Sequence, residues 1–153
     1  MFHTPARLFR ILAIAEVFSW TLLIGGLIIR GVGGPAVAVT IGGGIHGFVF
    51  LSYGATAILV ALNNRWGIGT ALLAVASAVI PYATVPVERW LHRTGRLDAA
   101  WRLDATDDPR DTRPIDRLLR WFLRHAAVLV VLLVLAIVAL YVALLIVGPP
   151  GGK

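Results

Sequence analysis

The chain contains no cysteine and few charged residues for its length. Without thiols it can form no disulfide framework, no thiolate metal site and no cysteine nucleophile. Charged residues make up 14% of the 153 residues, against about 25% in soluble domains. Hydrophobic residues make up 58%, and the mean hydropathy is +0.83. This balance excludes an ordinary soluble domain and favours a chain that is solvated by lipid.

What the chain does have is four long apolar runs. A bilayer core about 30 Å thick needs roughly 20 apolar residues in a helix that rises about 1.5 Å per residue. Residues 8–29, 41–62, 66–90 and 126–147 meet this length. The sequence therefore predicts an all-α, polytopic membrane protein with four transmembrane helices. The first run is interpreted as an uncleaved helix, because it is too long for a typical signal peptide and Glu16 interrupts it.

The runs divide the chain into four segments. We expect a three-span core in residues 1–91, a polar loop with a surface helix in 92–125, a fourth span in 126–147 and a frayed tail in 148–153. Pro81 and Pro86 lie inside the third run. Each removes a backbone donor and clashes with the carbonyl four residues back, which predicts a helix kink. The fourth run is almost purely aliphatic, which predicts a peripheral helix that faces lipid or a partner protein.

The segment between the third and fourth runs is rich in arginine and aspartate. Residues 92–112 contain few apolar side chains, so we expect a weakly ordered loop. From Pro114 onwards, apolar residues recur at helical spacing with arginines between them, which indicates an amphipathic helix on the membrane surface. Its arginines are predicted to contact lipid headgroups; they are Arg113, Arg117, Arg120 and Arg124. Because the basic residues flank spans, nucleic acid is not expected as a partner.

Basic residues also predict an orientation. With four spans, both termini and Arg65 would lie on one side of the membrane, and Arg30 and the long loop 91–125 on the other. Four basic residues then face ten, so the positive-inside rule places the long loop in the cytoplasm of a bacterial plasma membrane. Arg7 and Arg10, at the start of the first helix, favour the opposite arrangement.

Two ionisable residues interrupt the apolar runs, Glu16 in the first and His46 in the second. Intramembrane ionisable groups usually face the protein interior. If the second helix starts at residue 36, the two residues differ in depth by about 5 Å and can meet; if it starts at residue 41, the offset is about 12 Å and they cannot. Polar residues at a similar depth or on the same helix faces complete a candidate buried polar cluster of Glu16, Ser19, His46, Tyr53, Ser77 and Tyr82.

Two interpretations of this cluster stay open. It can be a hydrogen-bonded network that fixes helix packing, or a proton- or ligand-responsive site, because histidine titrates near neutral pH. Haem is disfavoured, since the runs hold no second histidine, and we predict no cofactor, no metal and no catalytic residue. On the second helix, a strip of small residues is expected to let another helix approach closely; it consists of Gly43, Gly47 and Gly54.

The first part of the chain also resembles a known family. The resemblance is carried by the position of Glu16, by the His46-Gly47 pair and by the Ile80-Pro81 step. Over roughly residues 7–91, the chain is similar to the family of domain of unknown function 3817, small bacterial integral membrane proteins with three predicted spans. The resemblance implies an architecture and a bacterial membrane, and the family has no established activity.

The predicted function is that of a non-catalytic, partner-binding or accessory subunit of the bacterial plasma membrane. Its expected partners are the lipid bilayer and either another membrane protein or a second copy of the chain. The alternative is a small proton- or ligand-responsive transporter or channel component that uses the layer of Glu16 and His46. A membrane enzyme is disfavoured, because the sequence offers no nucleophile–base arrangement, metal motif or phosphate loop.

Overall fold

The structure, a computed structural model, describes residues 4–147, and the predicted tail of residues 148–153 lies outside them. These residues form α-helices and short 3₁₀ turns, with no strand among them. The helices are α1 Pro5–Gly31, α2 Val37–Asn63, α3 Ile68–Ala76, α4 Thr84–Arg93, α5 Pro114–Arg124 and α6 Ala126–Val147. A 3₁₀ turn follows α3 at Ser77–Val79, and another precedes α5 at Pro109–Thr112. The prediction of an all-helical protein is confirmed.

α1 and α2 form an antiparallel pair with a very close crossing. A Cβ atom built on Gly26 would lie 2.7 Å from the carbonyl oxygen of Ala38, and one built on Gly42 would lie 2.6 Å from that of Leu22. Real side chains do not tolerate such distances, so glycine at these two positions lets the backbones touch. This crossing fixes which residues of α1 and α2 can face one another.

The predicted glycine strip lies elsewhere. Gly43 is in ordinary contact with Leu23, and nothing lies within 4 Å of a Cβ built on Gly54. Gly47 faces the ring of Tyr141 on α6, at 3.3 Å from the built Cβ. The expectation of one packing strip is therefore wrong, because α1 packs along the Gly42 side of the helix while α6 packs along the Gly47 side.

The third apolar run is broken into two helices. α3 and its 3₁₀ turn end at Val79, and Pro81 lies in the turn before α4 begins at Thr84. Proline offers no N–H to continue the helix, and Tyr82, with a φ of +66°, turns the chain back. Pro86 lies in the first turn of α4, where backbone N–H groups have no helical partner in any case. The prediction of one kinked helix is wrong, because the chain reverses at Pro81.

α3 and α4 form a hairpin whose open end lies beside the α2–α3 turn. At its closed end, the indole N–H of Trp20 donates to the carbonyl oxygen of Ala78 at 3.1 Å. At its open end, the carbonyl oxygen of Arg96 accepts from the indole of Trp66 at 2.8 Å and from the side-chain amide of Asn64 at 2.7 Å. Because Trp66 precedes α3 and Arg96 follows α4, the hairpin begins and ends at the same end of the molecule.

The apolar core lies at this end too. The ring of Phe9, near the start of α1, lies 5.4 Å from that of Tyr53 and 5.9 Å from that of Trp66. The buried core cluster comprises Phe9, Ala13, Tyr53, Ala57, Val60, Ala74, Ala78, Leu91 and Leu97. The hairpin is thus held against the first half of α1 and the second half of α2.

Within residues 4–147, three helices are long and apolar enough to cross a membrane by length and composition. They are α1, α2 and residues 126–143 of α6, whereas the apolar helix Ile68–Val79 is shorter. No residue of the apolar stretch 126–143 of α6 is buried, so this helix lies at the periphery against α2 and α5. The count of four spanning helices is therefore not confirmed.

Candidate functional site

Glu16, Ser19 and His46, here named the Glu16 cluster, meet where α1 faces α2. The hydroxyl of Ser19 donates to Oε2 of Glu16 at 2.7 Å and lies 3.0 Å from Nδ1 of His46. Nδ1 itself lies 3.4 Å from the same carboxylate oxygen. α2 begins at Val37, close to the first of the two starts considered for it, and this start gives the two residues a common depth.

The cluster is almost closed to its surroundings. Glu16 is 0% and Ser19 1% exposed, and the His46 side chain is 11% exposed. Oε1 of Glu16 is buried and has no hydrogen-bond partner in the described part of the chain. A buried carboxyl oxygen without a partner costs free energy, most of all when the group is charged. The arrangement can hold one proton, either on the carboxyl group of Glu16 or on the imidazole of His46, with the Ser19 hydroxyl between the two groups.

Trp20 connects the cluster to the hairpin. Its ring lies 4.3 Å from the imidazole of His46, at an interplanar angle of 48°, while its indole N–H binds Ala78. The carbonyl of Ala78 is near the end of α3, where helical donors run out, so Trp20 satisfies an acceptor that the chain break would leave open. Sequence spacing could have suggested this residue, because Trp20 follows Glu16 by four positions on one helix face.

Tyr53 and Ser77 form a separate polar contact. The hydroxyl of Tyr53 donates to the carbonyl oxygen of Ala74 at 3.0 Å and lies 3.0 Å from Oγ of Ser77, which donates to the same carbonyl at 2.7 Å. These bonds tie α2 to the end of α3. Tyr82 belongs to neither group, because it lies in the turn after Pro81 and is 43% exposed. The expected six-residue cluster is thus two groups and an outlying tyrosine.

α4 contributes two buried polar residues that sequence analysis missed. The hydroxyl of Thr84 donates to the carbonyl oxygen of Ala13 on α1 at 2.9 Å. Glu88, one turn later, is 4% exposed. Their spacing of four residues, continued by buried Leu91 three residues on, is the signal that could have found this face. The signal was hidden because the third run was taken as one long helix.

Outside the apolar helices, arginines and aspartates form a second polar region, here named the loop network. It consists of Arg65, Arg102, Arg110, Arg120, Asp108, Asp111 and Asp116. Its centre is the carboxylate of Asp111, which pairs with Arg65, with Arg102 at 3.3 Å and with Arg120 at 3.1 Å. The backbone N–H and hydroxyl of Thr106 also donate to it, each at 2.7 Å.

The loop network is attached to the end of α2. Arg102 donates to the carbonyl oxygens of Asn63 at 2.6 Å and Leu62 at 2.8 Å, where helical acceptors lack partners and a cation is favoured. Arg65, in the α2–α3 turn, pairs with Asp108. The expectation of a weakly ordered loop is wrong. So is the expectation that Arg65 and the loop lie on opposite sides, because ion pairs join them.

Two acids of the loop network, Asp108 and Asp111, are held in their charged form. The guanidinium of Arg110 beside Asp108 holds the pKa of that carboxyl well below its usual range, and the same pair raises the pKa of Arg110. Hydrogen bonds from the N–H and hydroxyl of Thr106 lower the pKa of Asp111. Both carboxyl groups are therefore ionised at neutral pH.

The four arginines predicted to contact lipid headgroups differ in their surroundings. Arg120 is buried and donates to the carbonyl oxygen of Asp111 at 2.6 Å, so its predicted role is wrong. Arg124 pairs with Asp104 at 2.6 Å, and Arg117 donates to the carbonyl oxygen of its neighbour Thr112 at 2.8 Å. Arg113 is exposed and has no ion pair among the described residues. The outward side of α5 is instead apolar, with exposed Ile115, Leu118 and Trp121.

Comparison with known proteins places this all-helical architecture in a family. Residues 6–93 match the family described as Domain of unknown function (DUF3817), and the chain belongs to it. The resemblance drawn from residues 7–91 is confirmed. The chain is also 34% identical over 108 residues to a Streptomyces coelicolor protein whose name gives it as a membrane protein; the match covers 69% of this chain and 12% of that protein. No solved structure matches the chain.

The match divides the molecule in a useful way. The Glu16 cluster and the hairpin lie inside the family region, whereas α5, α6 and most of the loop network lie beyond it. Arg65 is the family-region member of the loop network. The chain is thus a membrane protein of a family without a known role, extended by a helical segment that is ion-paired to the family core.

Proposed function

We propose that this chain is a non-catalytic accessory subunit that binds a partner protein in the bacterial plasma membrane. The observation that carries the proposal is the match to the Streptomyces coelicolor protein, of which this chain covers only 12%. A similar helical unit there forms a small part of a much larger chain. By analogy, this unit would pack against further helices of a membrane protein partner.

The use of polar side chains in the core supports a structural role. Trp20, Tyr53 and Thr84 each donate a hydrogen bond to a backbone carbonyl of a neighbouring helical segment. In lipid, such bonds hold helices together, because a polar group left without a partner is costly. These three side chains thus already serve the packing of this chain.

α6 offers the surface for the partner. One side of it faces α2 and α3 across an apolar groove, through Leu133, Ala136, Ile137 and Leu140. The opposite side is exposed and purely aliphatic, with Val131, Leu135, Val138 and Val142 in line along the helix. A helix that is apolar all round suits burial against another membrane helix. The partner would pack on this outward side.

Co-purification from native membranes in a mild detergent tests this role. We expect a stoichiometric membrane protein to accompany the chain, and Leu135→Trp to remove it by disturbing the packing on the outward side. Phe18→Trp on α1 is the matched control, because Phe18 is 67% exposed and lies on another helix. A chain that purifies alone as a monomer contradicts the proposal, and a dimer of the chain would make the partner a second copy.

We also propose a membrane topology of three spans and one hairpin that dips into the bilayer. α1, α2 and α6 cross, while α3 and α4 enter and leave on the side where α1 begins. Of the 14 basic residues, all but Arg30 and Lys153 then share that side. The positive-inside rule makes it cytoplasmic. This arrangement also suits Arg7 and Arg10, which the four-span arrangement placed outside.

Single cysteines test the topology cleanly, because the chain has none of its own. Gly67→Cys, at the start of the hairpin, and Ala99→Cys, beyond its end, should both resist a membrane-impermeant maleimide in intact cells. Val32→Cys, 82% exposed between α1 and α2, should react. If only one of Gly67→Cys and Ala99→Cys is labelled, residues 66–90 cross the membrane once, and the hairpin is refuted.

A proton-responsive role is the second candidate, favoured by Oε1 of Glu16, which lies near His46 and lacks a hydrogen-bond partner in the described part of the chain. Gain or loss of a proton would change the bonds of Ser19 and, through Trp20, the contact with the hairpin. Infrared difference spectroscopy across neutral pH should show a carboxyl band that Glu16→Gln removes. In liposomes, Glu16→Gln and His46→Ala should abolish a pH-dependent flux. A wild-type protein with neither signal would rule this role out.

A further inference from the structure

A pocket of about 270 Å³ lies between the α2–α3 turn and the start of α5. Its walls are of two kinds. One wall is charged, with four arginines and one acid, and the other is apolar, with Leu62, Trp66 and Ile115; the charged residues are Arg65, Arg102, Arg110, Arg113 and Asp116. A pocket with both kinds of wall suits a ligand that has an anionic end and a hydrocarbon end.

The charges around the pocket do not balance. The loop network brings four arginines to three aspartates, and Arg113 adds a fifth cation. Two positive charges therefore remain once the aspartates are paired. The aspartates are already engaged, since Asp108 and Asp111 pair with Arg65 and Asp116 pairs with Arg102 at 2.6 Å. An anion entering the pocket would meet uncompensated cations and little free carboxylate.

One buried donor at the pocket lacks an acceptor. The Nε atom of Arg65 is buried without a hydrogen-bond partner among the described residues, although both terminal nitrogens of the same guanidinium are paired. A buried N–H without an acceptor carries a desolvation cost. Phosphate offers several oxygens to arginines, whose planar guanidinium suits them.

The pocket lies at the level of the headgroups in the proposed topology. Trp66, in its wall, and Trp121, on the exposed side of α5, are residues that favour the membrane–water interface. The apolar wall continues into the exposed face of α5, formed by Ile115 and Leu118. From this position, the charge excess and the Arg65 Nε that lacks an acceptor among the described residues, we infer that the pocket binds the phosphate headgroup of an anionic phospholipid, with an acyl chain against Leu62 and Ile115.

Lipid titration of the delipidated full chain, followed by native mass spectrometry, tests the site. We expect phosphatidylglycerol to bind at a saturable site and phosphatidylcholine to bind far more weakly. Arg113→Gln should lower the affinity for phosphatidylglycerol about fivefold, because a basic residue near an anionic surface contributes about 1 kcal/mol. Arg117→Gln, four residues further along the chain in α5, is the matched control, since its side chain does not line the pocket. Arg113→Lys, which keeps the charge, should retain most of the binding.

A separate titration with inorganic phosphate distinguishes a lipid headgroup from a free anion as the ligand. If it binds as tightly as phosphatidylglycerol, the site takes a free anion and the lipid assignment falls. Equal binding of the two lipids, or equal losses for Arg113→Gln and Arg117→Gln, would likewise overturn it. Melting curves of both variants by circular dichroism establish that each remains folded, so that a loss of binding can be attributed to the site.

Discussion

The Glu16 cluster and the loop network differ in how their polar groups obtain hydrogen-bond and ion-pair partners. The cluster uses three side chains between two long apolar helices and leaves Oε1 of Glu16 without a hydrogen-bond partner in residues 4–147. The loop network uses seven charged residues beyond the end of α2, and its central acid, Asp111, has three arginines and a threonine around it. The cluster therefore depends on every member, whereas the network is redundant.

The difference follows from the solvent. Inside the apolar helices each polar atom must find a partner in the protein, so few are present and their positions are critical. Near water, ion pairs form readily but each contributes little, and several must cooperate to order a loop. Substitutions should accordingly have sharp effects in the cluster and graded effects in the network.

The largest effect is expected for Glu16→Ala. Removing the carboxyl deletes the acceptor that Ser19 and His46 share in a buried site, which should lower the free energy of unfolding by about 3 kcal/mol. Glu16→Gln keeps an acceptor for Ser19 and should cost clearly less. Unfolding in mixed micelles titrated with sodium dodecyl sulfate measures both. Equal stabilities of the alanine variant and the wild type would show that the cluster does not hold α1 to α2.

Gly42→Ala is expected to follow in size. The added methyl group would lie 2.6 Å from the carbonyl oxygen of Leu22, so α1 and α2 must separate one turn before His46. Such overpacking costs about 1–3 kcal/mol. Gly54→Ala meets nothing within 4 Å and should stabilise α2 through helix propensity, by up to about 1 kcal/mol. The same micelle titration compares them, and a loss confined to Gly54→Ala would contradict the crossing described here.

Acid should weaken the loop network in a graded way. Asp108 and Asp111 have folded-state pKa values below their usual range, so their contribution is fully present above the unfolded value of about 4. It is lost as the pH falls from there through the lower folded values. Melting temperatures should therefore be level from pH 7 to about 5 as far as this network is concerned, and then decline. Asp111→Asn should flatten the decline; an unchanged decline would place its origin elsewhere.

The smallest effect is expected at the edge of the network. Arg124 and Asp104 pair at 2.6 Å, but both side chains are exposed, so Arg124→Gln should cost about 0.5 kcal/mol or less. Arg120→Gln removes a buried partner of Asp111 and should cost more. Thermal melting of the two variants side by side provides the comparison. A larger loss of stability for Arg124→Gln than for Arg120→Gln would mean that burial does not determine which ion pair contributes more.

Sequence alone was sufficient for the first two helices, and it offered the meeting of Glu16 with His46 as one of two alternatives. Apolar runs at residues 8–29 and 41–62 became helices Pro5–Gly31 and Val37–Asn63, because length and hydropathy determine a spanning helix. To compare the depths of Glu16 and His46 in the membrane, only the residue at which α2 begins was still needed. Gly42 could not be chosen over its glycine neighbours, since the crossing side depends on how α1 rotates.

The hairpin and the loop network were beyond sequence reasoning. A predominantly apolar stretch of 25 residues, 66–90, is long enough for one span or for two short helices, and Pro81 marks a break without giving the direction that follows. The partners Arg65 and Asp108 are 43 positions apart, and charge composition alone resembles a solvated loop. Sequence patterns are local, whereas both features depend on contacts between distant segments.

The hairpin has a consequence for how the chain is made. In the proposed topology, nothing between the end of α2 and the start of α6 has to be carried through the bilayer during synthesis. Before α6 emerges from the ribosome, the insertion machinery would translocate only the end of α1 and the short connection to α2. Arg30, at the end of α1, is the single formal charge in this segment. The nine arginines from Arg89 to Arg124 would never leave the compartment in which they are made.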